Sequence, residues 1–86
     1  MTMSELDDLR ERAAAGDRDA VDELIELAGE RGDLGELRRL ADDGSGDAAD
    51  QLIETATELG ALDELRRLAG QGNRTAAEQL AELTEE

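Results

Sequence analysis

Residues 34–61 read LGELRRLADDGSGDAADQLIETATELGA, and this stretch determines the fold because the chain repeats it on both sides. Residues 6–33 match it at 14 of 28 positions, and residues 62–86 match it at 14 of 25. A shift of 28 residues therefore aligns three copies in one register. Self-similarity at a fixed period of this length is typical of helical repeat architectures.

Each copy contains two amphipathic patterns. In the first, apolar residues recur at i, i+3 and i+7, which lie on one face of an α-helix. In the second they recur at i, i+4, i+5 and i+8, which gives a broader buried arc. We expect a core from the columns Leu6/Leu34/Leu62, Leu9/Leu37/Leu65, Ala13/Ala41/Ala69, Ala20/Ala48/Ala76, Leu24/Leu52/Leu80, Ile25/Ile53/Ala81 and Ala28/Ala56/Thr84.

A short break separates the two patterns of each copy. Glycine, which adopts the left-handed conformation found at many helix ends, comes first, and a residue that caps the next helix follows. The two columns are Gly16/Gly44/Gly72 and Asp17/Ser45/Asn73. Asp33 followed by Glu36 predicts a capping box. We therefore predict helices over residues 4–15, 18–31, 34–43, 46–59, 62–70 and 74–84.

The predicted architecture is all-α, with three tandem helix-turn-helix repeats, or six short helices, stacked as an α-solenoid fragment. One hairpin of this size cannot bury its apolar face alone, whereas stacked neighbours form a continuous core. We predict a single α-helical repeat domain over residues 1–86, with repeats 6–33, 34–61 and 62–86.

Composition restricts the chemistry. The chain has 24 acidic residues and nine cations, all arginine, with a net charge of −15 and no His, Cys or aromatic residue. Such a charge repels nucleic acid and anionic membranes, and the usual bases, thiolate nucleophiles and zinc ligands are missing. We expect a cytoplasmic protein that is not an enzyme, uses no cofactor or metal, and carries its acidic residues on solvent-facing positions.

The repeats resemble the helical-hairpin repeats of the tetratricopeptide and Sel1-like group, and more loosely HEAT repeats. Residues 36–41 and 64–69, both ELRRLA, carry the likeness, together with Ala48-Ala49 and Ala76-Ala77 in the following helices. The resemblance spans residues 6–86, although the period is 28 rather than 34 and the aromatic core positions and the proline are absent. It implies a scaffold that binds other proteins.

Five arginines form a candidate partner-binding ladder. Arg10, Arg38 and Arg66 share one column, and Arg39 and Arg67 form a second pair that we expect to be more exposed. Guanidinium groups in such a ladder could receive a partner's carboxylates bidentately. The competing interpretation is ordinary helix-surface pairing at i,i+3 and i,i+4. Its pairs are Asp7–Arg10, Asp8–Arg12, Glu36–Arg39, Asp63–Arg66, Glu64–Arg67 and Asp63–Arg67.

A calcium loop is a weaker alternative. Asp43, Ser45, Asp47 and Glu54 fall at positions 1, 3, 5 and 12 of an EF-hand-like loop. Ala48 stands where that loop requires glycine, and the other two copies lack the first ligand. The repeat explains Ser45 and Asp47 better, as a helix cap and a first-turn acid.

Two functions fit these patterns. The first is a non-catalytic protein–protein interaction scaffold that binds a protein or peptide partner through its repeated helix faces. The alternative is a self-associating or engineered structural repeat protein without a natural ligand. Terminal repeats that lack polar caps would allow a homodimer. We expect such ends from Leu80, Ala81 and Leu83 in the last copy and from Val21, Ile25 and Leu27 in the first.

Overall fold

The computed structural model describes the backbone of residues 3–85 and the side chains of residues 5–85, and the fold is all-α. The helices of this described part are α1 (Met3–Ala14), α2 (Arg18–Arg31), α3 (Leu34–Asp42), α4 (Gly46–Leu59), α5 (Leu62–Gly70) and α6 (Arg74–Thr84). All six predicted helices are confirmed, and each end lies within one residue of its predicted position. Within the described residues, no helix is both long and apolar enough to cross a membrane.

The breaks inside the hairpins form as predicted. Asp17 accepts a hydrogen bond from the Ala20 backbone N–H at 3.3 Å, and Ser45 and Asn73 make the equivalent bonds, each to the third residue that follows. The preceding glycines all have positive φ, from +96° to +109°. This column therefore keeps its capping role although its residue type changes in every copy.

The predicted capping box is only half formed. The Asp33 carboxylate accepts a hydrogen bond from the Glu36 backbone N–H at 3.1 Å, as expected. The reciprocal bond is missing, because the Asp33 N–H donates to the Ala28 carbonyl at 2.9 Å and the Glu36 side chain binds arginines instead. The predicted capping box is therefore wrong for the second of its two hydrogen bonds, the one from the Asp33 N–H to the Glu36 side chain.

The helices pack as three neighbouring hairpins, α1/α2, α3/α4 and α5/α6. The even-numbered helices also pack on each other, α2 on α4 and α4 on α6. The odd-numbered helices lie farther apart, since no Cα atom described in α1 comes within 8 Å of one in α3, nor one in α3 within 8 Å of one in α5. The resulting body is 45 Å long and 15 Å thick, and the arrangement is consistent with a helical repeat fold.

The core follows most of the predicted columns. Leu37, Leu52 and Leu65 are completely buried, as are the alanines at the start of each second helix. Two predictions were wrong at the level of single residues, since Ala81 and Thr84 are exposed. Leu40 and Leu68 are buried as well, at positions that the predicted columns do not include. Leu34, Leu62 and the column Ala13/Ala41/Ala69 are only partly buried.

Replacing the cap residue Ser45 with alanine is expected to lower the free energy of unfolding by about 1 kcal/mol. The reason is that the Ala48 N–H would lose its side-chain acceptor at the start of α4. Urea unfolding followed by circular dichroism measures the change. Thr75→Ala is the control, because Thr75 is exposed in the first turn of α6 but is not the cap. Equal effects of the two substitutions would contradict the capping role.

Candidate functional site

The arginine column joins consecutive hairpins. The Arg10 Nε donates to Glu36 Oε1 at 2.7 Å, and the Arg38 Nε donates to Glu64 Oε1 at 2.8 Å. Both contacts span 26 residues, from the first helix of one hairpin to the first helix of the next. They therefore bridge the odd-numbered helices, whose backbones do not meet.

The acceptors of these bridges are buried carboxylates. Glu36 and Glu64 are only 5% and 6% exposed, so the expectation that the acidic residues face solvent was wrong at these two positions. Each also pairs with an arginine one turn along its own helix. Arg39 Nε lies 3.7 Å from Glu36 Oε2, and Arg67 Nε lies 2.6 Å from Glu64 Oε2. A buried carboxylate requires such partners, because burial without them opposes its charge.

These contacts change the acid–base properties of the bridge. Burial raises the pKa of Glu64, but the hydrogen bonds and charges of Arg38 and Arg67 outweigh it and hold that pKa below its ordinary value. The pKa of Arg10 is raised, first by its hydrogen bond to Glu36 and then by the charge of that carboxylate. The Glu64 carboxylate is therefore ionised at neutral pH, where it pairs with Arg38 and Arg67.

The shifted pKa of Glu64 predicts a pH-dependent contribution to stability. A lowered folded-state pKa means that the unfolded chain binds more protons, so ionised Glu64 stabilises the fold above the ordinary glutamate pKa of about 4.3. This contribution is lost as the pH falls from there through the lower folded value. We expect the difference in unfolding free energy between the wild type and Glu64→Gln to be constant near neutral pH and to shrink in this acidic range.

Urea unfolding of the wild type and of Glu64→Gln across this pH range measures the difference. The Glu64→Gln variant also serves as the control for general charge repulsion. The two proteins differ by a single carboxylate in a chain of net charge −15, so relief of repulsion on acidification is nearly the same for both. A difference that stays constant through the acidic range would contradict the lowered pKa.

The first hairpin lacks the residues that accept such a bridge. Asp8 and Arg12 occupy the positions that Glu36 and Leu40 hold in the second hairpin. Arg12 Nη1 lies 3.2 Å from Asp8 Oδ2, and Arg12 Nε lies 3.3 Å from a carboxylate oxygen of Asp17. The hydrogen bond to Asp8 is the main reason that the pKa of Arg12 is raised. These exposed pairs make the outer edge of α1 polar.

A groove of about 690 Å³ opens between the first two hairpins, where α1 and α3 diverge. The candidate residues Arg10 and Arg39 line it together with the buried Glu36. Its other lining residues are a further cation, three carboxylates and a mostly small or apolar set: Arg18, Asp22, Asp43, Asp47, Ala13, Ala14, Gly16, Val21, Leu24, Leu40, Gly44 and Ser45. The groove thus combines charged side chains with apolar surface.

The five candidate arginines differ in their ion-pair partners and in their exposure. Arg10 and Arg38 are held in the bridges, whereas the ion pair recorded for Arg66 in the described residues is to Asp63 of its own helix, at 3.0 Å. The second pair is not uniformly the more exposed one. The side chain of Arg39 is 64% exposed against 47% for Arg38, but that of Arg67 is 32% exposed against 56% for Arg66.

The predicted pairs on helix surfaces form at five of the six positions. The expected acid on the same helix is contacted by Arg10, Arg12, Arg39, Arg66 and Arg67. The pair that does not form is Asp63–Arg67, because Asp63 pairs with Arg66 whereas Arg67 pairs with Glu64.

In the weak calcium candidate, Asp43 is the C-cap of α3 and Ser45 is the N-cap of α4. Among the described residues, no group of three or more potential metal ligands comes together.

The bridges were missed at the sequence level, although the repeat contains a signal for them. The second and third copies share glutamate and leucine at positions 36, 40, 64 and 68, while the first copy has Asp8 and Arg12 there. In the structure, Glu36 and Glu64 are the residues that accept the bridges from the preceding hairpin. No family model, curated protein or solved structure matches this chain.

Proposed function

We propose that the protein is a non-catalytic helical-repeat module that binds another protein in the groove between its first two hairpins. In this proposal the hairpins are three tandem 28-residue repeats of an α-solenoid fragment, similar to tetratricopeptide and Sel1-like repeats. The observation that carries it is the placement of Arg39, which lines the groove and has a side chain that is 64% exposed. Its contact with Glu36, at 3.7 Å, leaves other guanidinium donors available.

The lining of the groove favours a protein ligand over a small molecule. Sites for small molecules are mostly apolar with a few polar groups. Here 7 of the 15 lining residues are charged, three as cations and four as carboxylates. A partner segment that places a carboxylate on Arg39 and an aliphatic side chain against Val21 and Ala13 would match both parts of this surface.

Site-specific photo-crosslinking in the cells that express the chain tests the proposal. A photoreactive residue in place of Ala14, which is exposed on the groove, should form an adduct with one partner protein. The same residue in place of Glu78, exposed on α6, is the positional control. Arg39→Gln should reduce the adduct, whereas Arg31→Gln, an exposed cation outside the groove, should not. Equal adducts at both positions would contradict the proposal.

Self-association is the alternative function, and sedimentation velocity separates the two. A compact monomer over a wide concentration range, at low and high salt, supports an interaction module with a free surface. A mass that rises with concentration supports the self-associating alternative. Interference optics are required because the chain contains no aromatic residue.

A further inference from the structure

Asp43 brings a carboxylate to the groove at a place where its own helix disfavours one. It is the C-cap of α3, it is exposed, and it lines the groove. The carbonyl groups at a helix C-terminus carry a partial negative charge, so an acidic residue there is unfavourable. Within the described residues, the Asp43 side chain has no hydrogen bond and no ion pair that would offset this cost. The stability of the fold therefore does not explain this carboxylate.

Asp47 adds a second carboxylate after the turn that follows Asp43. It lies in the first turn of α4, is exposed, and lines the same groove. Its side chain likewise has no ion pair in the described part of the chain. Two such carboxylates on the two sides of one turn attract a cation more strongly than either does alone.

Arg39 and Asp43 have a defined spacing on α3. They are four residues apart, so their side chains leave the helix about one turn apart on the same edge. They do not pair with each other, since the ion pair recorded for Arg39 in the described residues is to Glu36, at 3.7 Å. This edge of the groove therefore offers a cation and an anion, one turn apart, that both remain available to a ligand.

We propose that the groove binds a helical segment of the partner that carries an acidic and a basic residue one turn apart. The acidic residue accepts hydrogen bonds from Arg39, and the basic residue binds Asp43 and Asp47. An aliphatic side chain on the same edge of the segment packs on Val21. A purely acidic or purely basic segment would meet a like charge at one of the two positions, which is unfavourable. This inference rests on the proposed function and narrows its partner to a segment with this pair of charges.

The corresponding edge of the third hairpin does not offer the same pair. Arg67, the equivalent of Arg39, is turned inward, because its Nε donates to the buried Glu64 at 2.6 Å and its Nη2 atom is also buried. The two equivalent carboxylate positions are occupied by Gln71 and Thr75. We therefore expect one bound segment per chain although the hairpins repeat.

Two helical peptides of equal composition, with no net charge, test the inference. In the matched peptide a leucine and a lysine stand three and four residues after a glutamate, which puts all three on one edge. In the scrambled peptide the lysine stands two residues after the glutamate, on the other side of the helix. A hydrocarbon staple holds both peptides helical. Titration of the isotope-labelled chain with each peptide, followed by NMR, measures both the affinity and the site.

The matched peptide should bind at one site and about fivefold more tightly than the scrambled peptide. It should shift the amide signals of Ala14 and Ser45, which line the groove. Equal binding of the two peptides, binding of neither, or a second equivalent site would overturn the inference.

Substitutions in the chain separate recognition from folding. The double variant Asp43→Asn, Asp47→Asn should bind the matched peptide about fivefold more weakly than the wild type. The control is Asp42→Asn, Asp50→Asn, which removes the same charge from exposed positions outside the groove and should leave the affinity unchanged. Asp43→Asn alone should leave the midpoint of urea unfolding unchanged or slightly higher, because it removes a charge that the helix end disfavours. Equal losses of affinity in the two double variants would contradict the inference.

Crosslinking tests the proposed function separately. An adduct at Ala14 together with failure of the peptides would overturn the pair of charges and leave the proposed function standing. Equal adducts at Ala14 and Glu78 would overturn the proposed function itself.

Discussion

Replacing Leu52 with alanine is expected to lower the free energy of unfolding by about 3 kcal/mol. Leu52 is 0% exposed and lies in α4, the helix that packs against both neighbouring hairpins. Truncation removes buried apolar surface and leaves a cavity that the neighbours fill only in part. Since small domains unfold at a cost of about 5–15 kcal/mol, the substitution removes a large share of the stability.

Leu59 provides a matched control in the same helix. Its side chain is 59% exposed, so Leu59→Ala should change the unfolding free energy by less than about 0.5 kcal/mol. Urea unfolding monitored by circular dichroism compares both variants with the wild type. If Leu52→Ala were no more destabilising than Leu59→Ala, the second hairpin would not be the centre of the core.

Replacing Glu64 with alanine is expected to cost about 2 kcal/mol, because it removes a carboxylate that serves two arginines. Arg38 would lose its bridge to the third hairpin, and Arg67 would lose its acceptor. Arg67 already has a buried Nη2 atom without a hydrogen-bond partner, so a further loss leaves more of its guanidinium unsatisfied. The half-exposed position of Arg38 keeps the cost below that of a fully buried pair.

Asp63→Ala removes the same charge from the preceding position. The Asp63 side chain is fully exposed, and its ion pair among the described residues is with Arg66 of the same helix. We therefore expect little change in the unfolding free energy, or a slight gain from reduced repulsion. Chemical unfolding at neutral pH distinguishes the two variants. A similar effect of both would mean that net charge, rather than the bridge, determines the result.

The helices could be predicted from the sequence because their ends depend on local chemistry. Ser45 caps α4 with a bond to a residue three positions away, and Gly60 ends the same helix at φ +66°. Such interactions are contained within a few residues, so a repeat that preserves the N-cap in three copies and the final glycine in two specifies the hairpins. The exposed face of α6 was harder to predict, because Ala81 and Thr84 fall in predicted core columns but are exposed.

The contacts between hairpins could not be predicted from helical periodicity alone. A helical wheel gives the face on which Glu36 lies, but not which helix faces it across 26 residues of chain. Leu40 is buried as well, at a position that the predicted columns do not include. Ile25 is buried as its core column predicts, and Val21 and Leu27, which were expected at an uncapped end, are partly buried and pack against the core. Stacking order, rather than local pattern, determines these environments.

The unequal spacing of the two helix rows has a mechanical consequence. Even-numbered helices pack directly on each other, and van der Waals attraction falls steeply when such surfaces separate. The odd-numbered helices are joined by guanidinium groups on flexible stems, which can follow a carboxylate by changing rotamer. Bending should therefore be easier on the odd-numbered side, with the even-numbered row as the hinge. The curvature of the body, and the width of its groove, would then respond to ionic strength.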